Sequence, residues 1–430
     1  MSDLACQPAP AVSSPARWAR IAVTAVFVVH GLLFASWTAH IPGVKAHLGL
    51  TDGTLGLALL GAPVGSVIAM IVSSWLLPRV GSRRIVQVAL VGYCAAGPLV
   101  GLTGSLLALF AALFVWGAFQ GTLDVAMNTQ AIAVERARRR VLMPGLHGSW
   151  SIGSFAGAGI GALAVAAGIT LSSQLLGLGT IALLVAGLLT TRMLPAAADH
   201  PGRLNAPAGH TGADQRSGGP ASRWSGGMVM LGAIAFAAML CEGATADWSA
   251  VYLSGPLHVG GVLPGLGYAA FSLAMVTVRL SGNRLLTRFR TDRLLPALAA
   301  VATLGFAAAL LIAQPPAALL GFGCLGIGLA SMVPAVFSAA GRIPGLPPGT
   351  AVATASACGW AGFVCGPPVI GRLSEWASLP VALGLLPLLT AFLVAGTLSS
   401  RALREPQPQP QAHAGSLLVD HGEVNQGHGH

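Results

Sequence analysis

The sequence predicts an all-α integral membrane protein with twelve transmembrane helices in two pseudo-symmetric six-helix halves. The first observation is composition: 54% of the 430 residues are hydrophobic and only 8% are charged, whereas a soluble domain carries about 25% charged residues. The second is that apolar segments of about 20 residues, each long enough to cross a bilayer as a helix, recur along the whole chain. The third is that the arginines cluster at every second predicted loop.

The predicted spans form two sets of six, separated by a polar, Gly/Pro-rich segment at 192–225 that is typical of a flexible linker. The sequence predicts an N-terminal tail at residues 1–17 and a disordered C-terminal tail at 401–430. The two six-helix bundles are predicted at 18–191 and 226–400. The histidines of that last tail, among them His413 and His421, could hold a metal loosely, although a solvated tail without a metal is favoured. The predicted spans are 18–41, 53–77, 84–103, 105–133, 142–167, 170–191, 226–252, 257–281, 292–313, 316–340, 349–372 and 379–399.

The basic residues predict the orientation. The net charge is +10, and the loops between the arginine clusters hold little besides Lys45 and Arg372. Under the positive-inside rule this distribution places both termini in the cytoplasm. A nucleic-acid-binding surface is not favoured, because no soluble basic domain carries the charge.

An internal repeat relates the two halves. "PRVGSRR" follows the second span and "TRFRTDR" follows the eighth. Arg79 and Arg288 are 209 positions apart, and the same shift takes Gly153 in the fifth span to Gly362 in the eleventh. Two matches at one offset indicate duplication of a six-helix unit, and parallel six-helix repeats around a central site are a known transporter plan.

Several motifs carry a family resemblance. The loop "SSWLLPRVGSRR" is similar to Gly-x-x-x-Asp-Arg-x-Gly-Arg-Arg, found between helices two and three of the major facilitator superfamily, although Ser74 and Pro78 depart from it. "GTLDVAMNTQAIAVE", "GLHGSWSIGSFAGAGIGA" and "CEGATADWSAVYL" resemble a bacterial inner-membrane branch of that superfamily whose substrates are largely unknown. The Asp-x-x-x-Asn pattern of the fourth span is similar to that of the fucose–proton symporters.

The resemblance implies a monomeric, multi-pass protein of the bacterial cytoplasmic membrane that needs no cofactor. It would carry a small solute by alternating access, with the first, fourth, seventh and tenth helices lining a central cavity. In the family loop Arg79 would act as a gating residue, and simple anchoring of the loop by arginines is the alternative.

The fourth span carries the most informative polar group. Asp124 lies eleven residues before Glu135, which marks the cytoplasmic end, so it is roughly 16 Å deep and near the midplane. Gln120, Asp124 and Asn128 recur every four residues and form one polar stripe. Asp124 could carry a coupled proton while the two amides bind solute hydroxyls. A structural carboxylate bonded to neighbouring helices is the alternative.

Polar groups in other spans complete the predicted site, because a charge within a bilayer normally faces a cavity or a partner. His30 is a candidate solute ligand, or a packing group bonded within the core. Glu242 is a second candidate for proton coupling. Trp360 could stack on a solute ring. His147 and Asp247 are candidate gating residues, and Asp247 could instead form an ion pair.

Three functions follow from these features. The first is proton-coupled transport of a small polar solute, sugar- or polyol-like, and the second is export of drugs or metabolites. The third is a sensor without flux. No Gly-x-x-x-x-Gly-Lys-Ser/Thr loop occurs in the sequence, so ATP-driven transport is not favoured. No metal-ligand cluster or catalytic motif indicates an enzyme.

Overall fold

A computed structural model describes residues 14–199, 225–288, 290–343 and 345–404 of the chain. The described part is built from helices, without a β-strand. Most of the predicted linker, the N-terminal tail and the histidine-containing C-terminal tail lie outside the described residues.

The long helices are labelled α1 to α12 in chain order. The helix α2 is interrupted at Leu60, α10 at Ala330 and Ser331, and α12 at Gly384. A π-helical turn, Leu183–Gly187, lies within α6. The bounds are α1 Ser14–Thr38, α2 Asp52–Val80, α3 Ser82–Val100, α4 Leu106–Arg138, α5 Met143–Ala166, α6 Leu171–Thr190, α7 Gly226–Ser254, α8 Leu263–Arg288, α9 Thr291–Ile312, α10 Pro315–Ala340, α11 Pro348–Trp376 and α12 Leu379–Ser399; the short helices are Ile41–His47, Ala196–Ala198 and Arg401–Arg404.

Ten helices of the described chain are long and apolar enough to cross a membrane. The helices α3 and α11 coincide with two more predicted spans but are not among those ten, so twelve crossings stay a prediction. Large apolar side chains face outward on many helices, for example Leu311, which is 87% exposed, and Leu107, which is 73% exposed. Outward apolar surface of this kind suits contact with lipid rather than water.

Helices pack in parallel pairs through glycine. Gly117 of α4 lies so close to α2 that a Cβ there would be 2.1 Å from the carbonyl oxygen of Ala62. Gly326 of α10 approaches α8 in the same way: a Cβ there would be 2.2 Å from the carbonyl oxygen of Phe271. Both members of the second pair lie 209 positions after those of the first, so the packing repeats at the offset found in the sequence. Such close approach is typical of small residues between membrane helices.

The fifth span carries a face of small residues that forms a packing surface. It lies on α5 and contacts backbone carbonyl groups of α1 at three successive turns. The contacts are Gly153 with Val28, Gly157 with Leu32 and Gly161 with Ser36. This pairing fixes how α1 and α5 present their polar side chains to the centre of the molecule.

The helical bundle has two ends. The arginine-rich end is where α2, α4 and α8 finish and α5 begins, and it is the predicted cytoplasmic side. The opposite end is where α1, α5 and α11 finish and α2 begins.

Candidate functional site

A cavity of about 220 Å³ lies between the helices that precede the linker and those that follow it. Because a water molecule takes about 30 Å³ of liquid volume, this space suits a small solute. Aromatic rings and ionisable groups share its wall. The lining residues include His30, Phe34 and Trp37 of α1, Ser66 of α2, Trp116, Gln120, Asp124 and Met127 of α4, His147 and Trp150 of α5, Glu242 and Asp247 of α7, Arg279 of α8, Val333 of α10, and Trp360 and Phe363 of α11.

Most of the residues singled out from the sequence meet at this cavity. They come from helices that are far apart in the chain, and the packing brings them to one wall. Those lining it are His30, Gln120, Asp124, His147, Glu242, Asp247 and Trp360. Asn128 and Arg79 are not lining residues.

Asn128 lies one turn from the cavity and contacts Asp124 instead of open space. Its side-chain amide donates to the Asp124 backbone carbonyl at 2.8 Å and to the Asp124 carboxylate at 3.3 Å. An i, i+4 pair on one helix meets in this way because the two side chains lie on the same face. Asn128 is therefore placed to orient the carboxylate of Asp124.

His30 is held by both ring nitrogens. The indole Nε1–H of Trp150 donates to His30 Nδ1 at 2.8 Å, and His30 Nε2 lies 3.4 Å from the carbonyl oxygen of Gln120. With Nδ1 accepting, the neutral ring carries its proton on Nε2, which donates to that carbonyl. The imidazole thus joins α1, α4 and α5 at the cavity wall.

Aromatic rings form a column beside His30. The Tyr93 ring stacks on Trp116 at 5.1 Å and on His30 at 5.7 Å. On the other side, Phe34 lies between Trp150 at 6.3 Å and Tyr268 of α8 at 6.2 Å. These separations are typical of favourable aromatic pairs, so the column gives the wall a rigid apolar surface next to its polar groups.

The acids on α7 face the cavity without a protein partner. Among the described residues, no hydrogen bond or ion pair engages the carboxylates of Glu242 and Asp247. A partly buried carboxyl group within a span is stabilised by a proton, a cation or a hydrogen-bonding ligand. These two groups are therefore available to a solute or a proton.

Arg279 and Trp150 are cavity residues that the sequence analysis did not single out. The Arg279 guanidinium donates from Nη1 to Ser151 Oγ of α5 at 2.8 Å and from Nε to the carbonyl oxygen of Ala330 at 3.2 Å. An arginine inside an apolar span is costly, and that signal could have found Arg279 in the eighth predicted span. No sequence signal distinguished Trp150 from tryptophans at the membrane interface.

Arg79 lies away from the cavity, exposed at the end of α2. Its guanidinium stacks over the Trp75 ring at 3.8 Å and bonds to the carbonyl oxygen of the same residue. The adjoining loop is held by Asp199, whose carboxylate accepts from Ser82 N at 2.8 Å and from Ser82 Oγ at 2.7 Å. An acid from a distant segment thus binds the loop whose own motif has Pro78 in place of Asp.

A second set of contacts joins α2 to α11 at the opposite end. Glu375 accepts from Thr51 Oγ1 at 2.6 Å and from Gly53 N at 3.2 Å. Asp52 pairs with Lys45 and accepts from Ser374. The residues Thr51, Asp52, Gly53, Ser374 and Glu375 are called the clasp below, and they tie the two groups of helices together beyond the cavity.

Comparison with known proteins identifies relatives of the chain. The family model described as Major Facilitator Superfamily matches residues 22–347. An uncharacterised MFS-type transporter of Yersinia pestis is 34% identical over 385 residues, covering 89% of this chain and 95% of the relative. The membrane protein MosC of Rhizobium meliloti is 30% identical over 401 residues, covering 91% and 93%.

Solved structures share the fold at low sequence identity. The nucleoside transporter NupG superposes with a TM-score of 0.67 at 11% identity, covering 89% of this chain and 98% of that one. A bacterial homolog of the human lysosomal transporter Spinster, in an inward-facing and unoccupied conformation, gives 0.63 at 16% identity, covering 93% and 99%. At these identities the likeness concerns the fold alone.

Proposed function

The chain belongs to the major facilitator superfamily, a family of membrane transporters, and we propose that it carries a small polar solute, sugar- or polyol-like, through its central cavity. The transport is by alternating access and is coupled to protons. The membrane is the bacterial cytoplasmic membrane, with both chain termini on the cytoplasmic side.

One observation carries the proposal: Asp124 faces the cavity with no basic partner among the described residues, and Asn128 is bonded to it. A carboxyl group without a fixed cation can exchange a proton as the cavity opens to either side. Gln120 and Glu242 line the same space and offer hydrogen-bonding groups to solute hydroxyls. His30 lines the space beside them, with its ring nitrogens engaged by Trp150 and by the carbonyl of Gln120. Trp360 supplies an apolar face for a ring.

The first experiment identifies the solute and then tests coupling. Purified protein is screened by thermal shift against sugars, polyols, amino acids and cationic drugs, since a ligand that binds the folded state raises the melting temperature. The hit is then used in proteoliposomes with an imposed proton gradient. Asp124→Asn should abolish accumulation of the solute against its own concentration gradient, while solute counterflow remains.

Counterflow in that variant is the control for folding and binding, because exchange of solute needs no net proton movement. Undiminished accumulation by Asp124→Asn would show that the coupled proton is not carried there. Loss of both accumulation and counterflow would assign Asp124 to solute binding or to structure.

The second candidate, export of a drug or metabolite, is favoured by a single feature. Four of the nine tryptophans line the cavity, although aromatic residues make up only 6% of the chain. Hits restricted to apolar cations, together with increased drug sensitivity of a deletion strain, would select this function over uptake of a polar solute.

A further inference from the structure

A groove on the outer surface of the second group of helices lies away from the central cavity. Its volume is about 540 Å³, and side chains of α7, α11 and α12 line it. Met228 and Ala237 of α7 are buried along its floor, whereas Val229 is 49% exposed and Phe392 of α12 is 37% exposed at its rim. Of the described residues, none lines both the groove and the central cavity. The groove is therefore separate from the solute site and open to the surroundings of the bundle.

Packing of α7 against two other helices leaves the groove between them. Gly362 of α11 approaches α7 so closely that a Cβ there would lie 2.1 Å from the carbonyl oxygen of Phe236. The Cβ position of Gly396 on α12 lies 3.1 Å from Ile234 of α7. Two positions along a helix correspond to a rotation of roughly 200°, so α11 and α12 meet α7 on different faces. The two helices are thus held apart across α7.

The groove spans the depth of one membrane leaflet. The helices α7 and α11 begin at the arginine-rich end, and α12 finishes there. Lining positions run from Met228, two residues into α7, to Ala361, thirteen residues into α11, so the groove lies within about 20 Å of that end. Half of a bilayer with its polar interface is also about 20 Å thick. A ligand therefore reaches the groove from the leaflet at the arginine-rich end.

The side chains of the groove suit hydrocarbon. Apart from Thr354 and Cys358 of α11, every lining residue is apolar. The hydroxyl of Thr354 donates to the carbonyl oxygen of Thr350 at 2.8 Å, so it is already engaged within its own helix. A polar solute would find little besides the weakly bonding thiol of Cys358, whereas an acyl chain is compatible with the whole lining.

An arginine without an anionic partner lies at the end of the groove. A Cβ at Gly227 of α7 would lie 3.4 Å from Ile343 Cδ1, which places the neighbouring Arg342 beside the start of α7. This arginine is half-buried. Its guanidinium donates to the carbonyl and hydroxyl oxygens of Ser338 at 2.9 and 2.7 Å and to the carbonyl oxygen of Ala402 at 3.4 Å. Within the described part of the chain, no carboxylate forms an ion pair with it.

Arg342 does not belong to the internal repeat. The shift of 209 positions takes it to Ala133 in the first half. A guanidinium is suited to binding phosphate, and basic pockets between membrane helices on the cytoplasmic side bind anionic lipid headgroups. Hydrocarbon in the groove and a phosphate at its end are the two parts of one phospholipid molecule.

We propose that the groove between α11 and α12 binds one anionic phospholipid from the leaflet at the arginine-rich end. An acyl chain of this lipid occupies the groove, and Arg342 binds its phosphate. The bound lipid links the start of α7 to the end of α12. This inference depends on the membrane setting of the helices and does not depend on the proposed solute or on its coupling to protons.

The test counts lipids on the intact protein. The full chain is purified in detergent, freed of bound lipid, and titrated with dioleoyl phosphatidylglycerol or dioleoyl phosphatidylcholine, and the bound copies are counted by native mass spectrometry. The two lipids have the same acyl chains, but only phosphatidylglycerol carries a net negative charge. The first copy of phosphatidylglycerol should bind about tenfold more tightly than the first copy of phosphatidylcholine, the scale of a hydrogen bond to a charged group.

Substitutions test the two parts of the site separately. Arg342→Gln should remove the preference for phosphatidylglycerol, whereas Arg140→Gln, which removes an exposed arginine at the same end, should retain it. Ala233→Phe fills the groove from α7 and should abolish tight binding of the first lipid. Ala361→Phe fills it from α11 and is a second, independent variant with the same expected result. Ala297→Phe is the matched control, because this exposed alanine of α9 lies at a similar depth outside the groove.

Equal affinity of the unsubstituted protein for the two lipids would overturn the inference. An equal loss of preference in Arg342→Gln and Arg140→Gln would also overturn it, because the arginines would then act only through the general charge of that end. Tight binding retained in the groove-filling variants would exclude the groove. Melting curves confirm that each variant is folded before titration. Because the readout uses no flux, absence of transport in proteoliposomes would reject the proposed function without altering the lipid count.

Discussion

Replacing Gly153 with alanine tests whether the contact between α1 and α5 positions the cavity wall. A Cβ there would lie 2.1 Å from the carbonyl oxygen of Val28, and ordinary contact begins at 3.4 Å, so the helices must separate by about 1.3 Å. The hydrogen bond from Trp150 Nε1 on α5 to His30 Nδ1 on α1 is 2.8 Å long. Moving the two helices apart by that amount lengthens this donor–acceptor distance beyond about 3.2 Å, the limit for an N–H donor. Gly153→Ala should therefore detach His30 from Trp150.

The expected cost in folding free energy is about 1–3 kcal/mol, the range for overpacking. At roughly 2 °C per kcal/mol for a large domain, the melting temperature should fall by about 2–6 °C. The assay is thermal unfolding of the purified full chain in detergent, followed by tryptophan fluorescence, with solute counterflow as the functional readout. Counterflow should fall even at temperatures where the variant is fully folded.

Gly159→Ala is the matched control, because it lies on the same helix with open space around its Cβ position. It should melt no lower than the unsubstituted protein, since alanine favours a helix over glycine. If the two variants melt alike and retain equal counterflow, the close approach of α1 and α5 does not position the site.

Two further predictions concern the clasp and the aromatic wall. The hydroxyl of Thr51, and after it Arg372, holds the pKa of Glu375 below its usual value; the stabilisation is therefore present at neutral pH and is lost only as the pH falls below about 4. Glu375→Gln should speed backbone hydrogen exchange in residues 51–59 at pH 7, and the exchange in this variant should no longer change as the pH falls below about 4. Exchange that matches the unsubstituted protein both at pH 7 and below about pH 4 would contradict this prediction. Trp150→Phe removes the donor to His30 but keeps a ring, so it should weaken solute binding in a thermal-shift titration by about tenfold, the scale of one buried hydrogen bond; unchanged affinity would remove this pair from the binding site.

Several features of the fold follow from local sequence. Apolar runs of about 20 residues predict membrane helices because a bilayer requires them at that length, and ten described helices fulfil that requirement. Glycines spaced four apart on α5 lie on one face of the helix, and α1 packs against that face. The family resemblance read from short motifs is confirmed by the family match and the relatives.

The individual contacts of the site did not follow from the sequence. Asn128 was predicted to face the solute, but the rotamer observed turns its amide onto Asp124. Arg79 was expected at a gate, and it lies exposed over Trp75. Helical spacing assigns a side chain to a face, whereas the partner it meets depends on its rotamer and on the neighbouring helix.

The amino-acid sequence alone identifies the polar residues of the predicted spans and predicts a depth for each, because depth follows from the helical rise along a single span. Asp124 and Glu242 are candidates on that ground. Three contacts are visible only in the folded molecule: Trp150 donates to His30, Arg279 donates to Ser151 on α5, and Thr51, just before α2, donates to Glu375. Each of these contacts joins residues more than 100 positions apart, and their meeting depends on how glycine-packed helices rotate against one another.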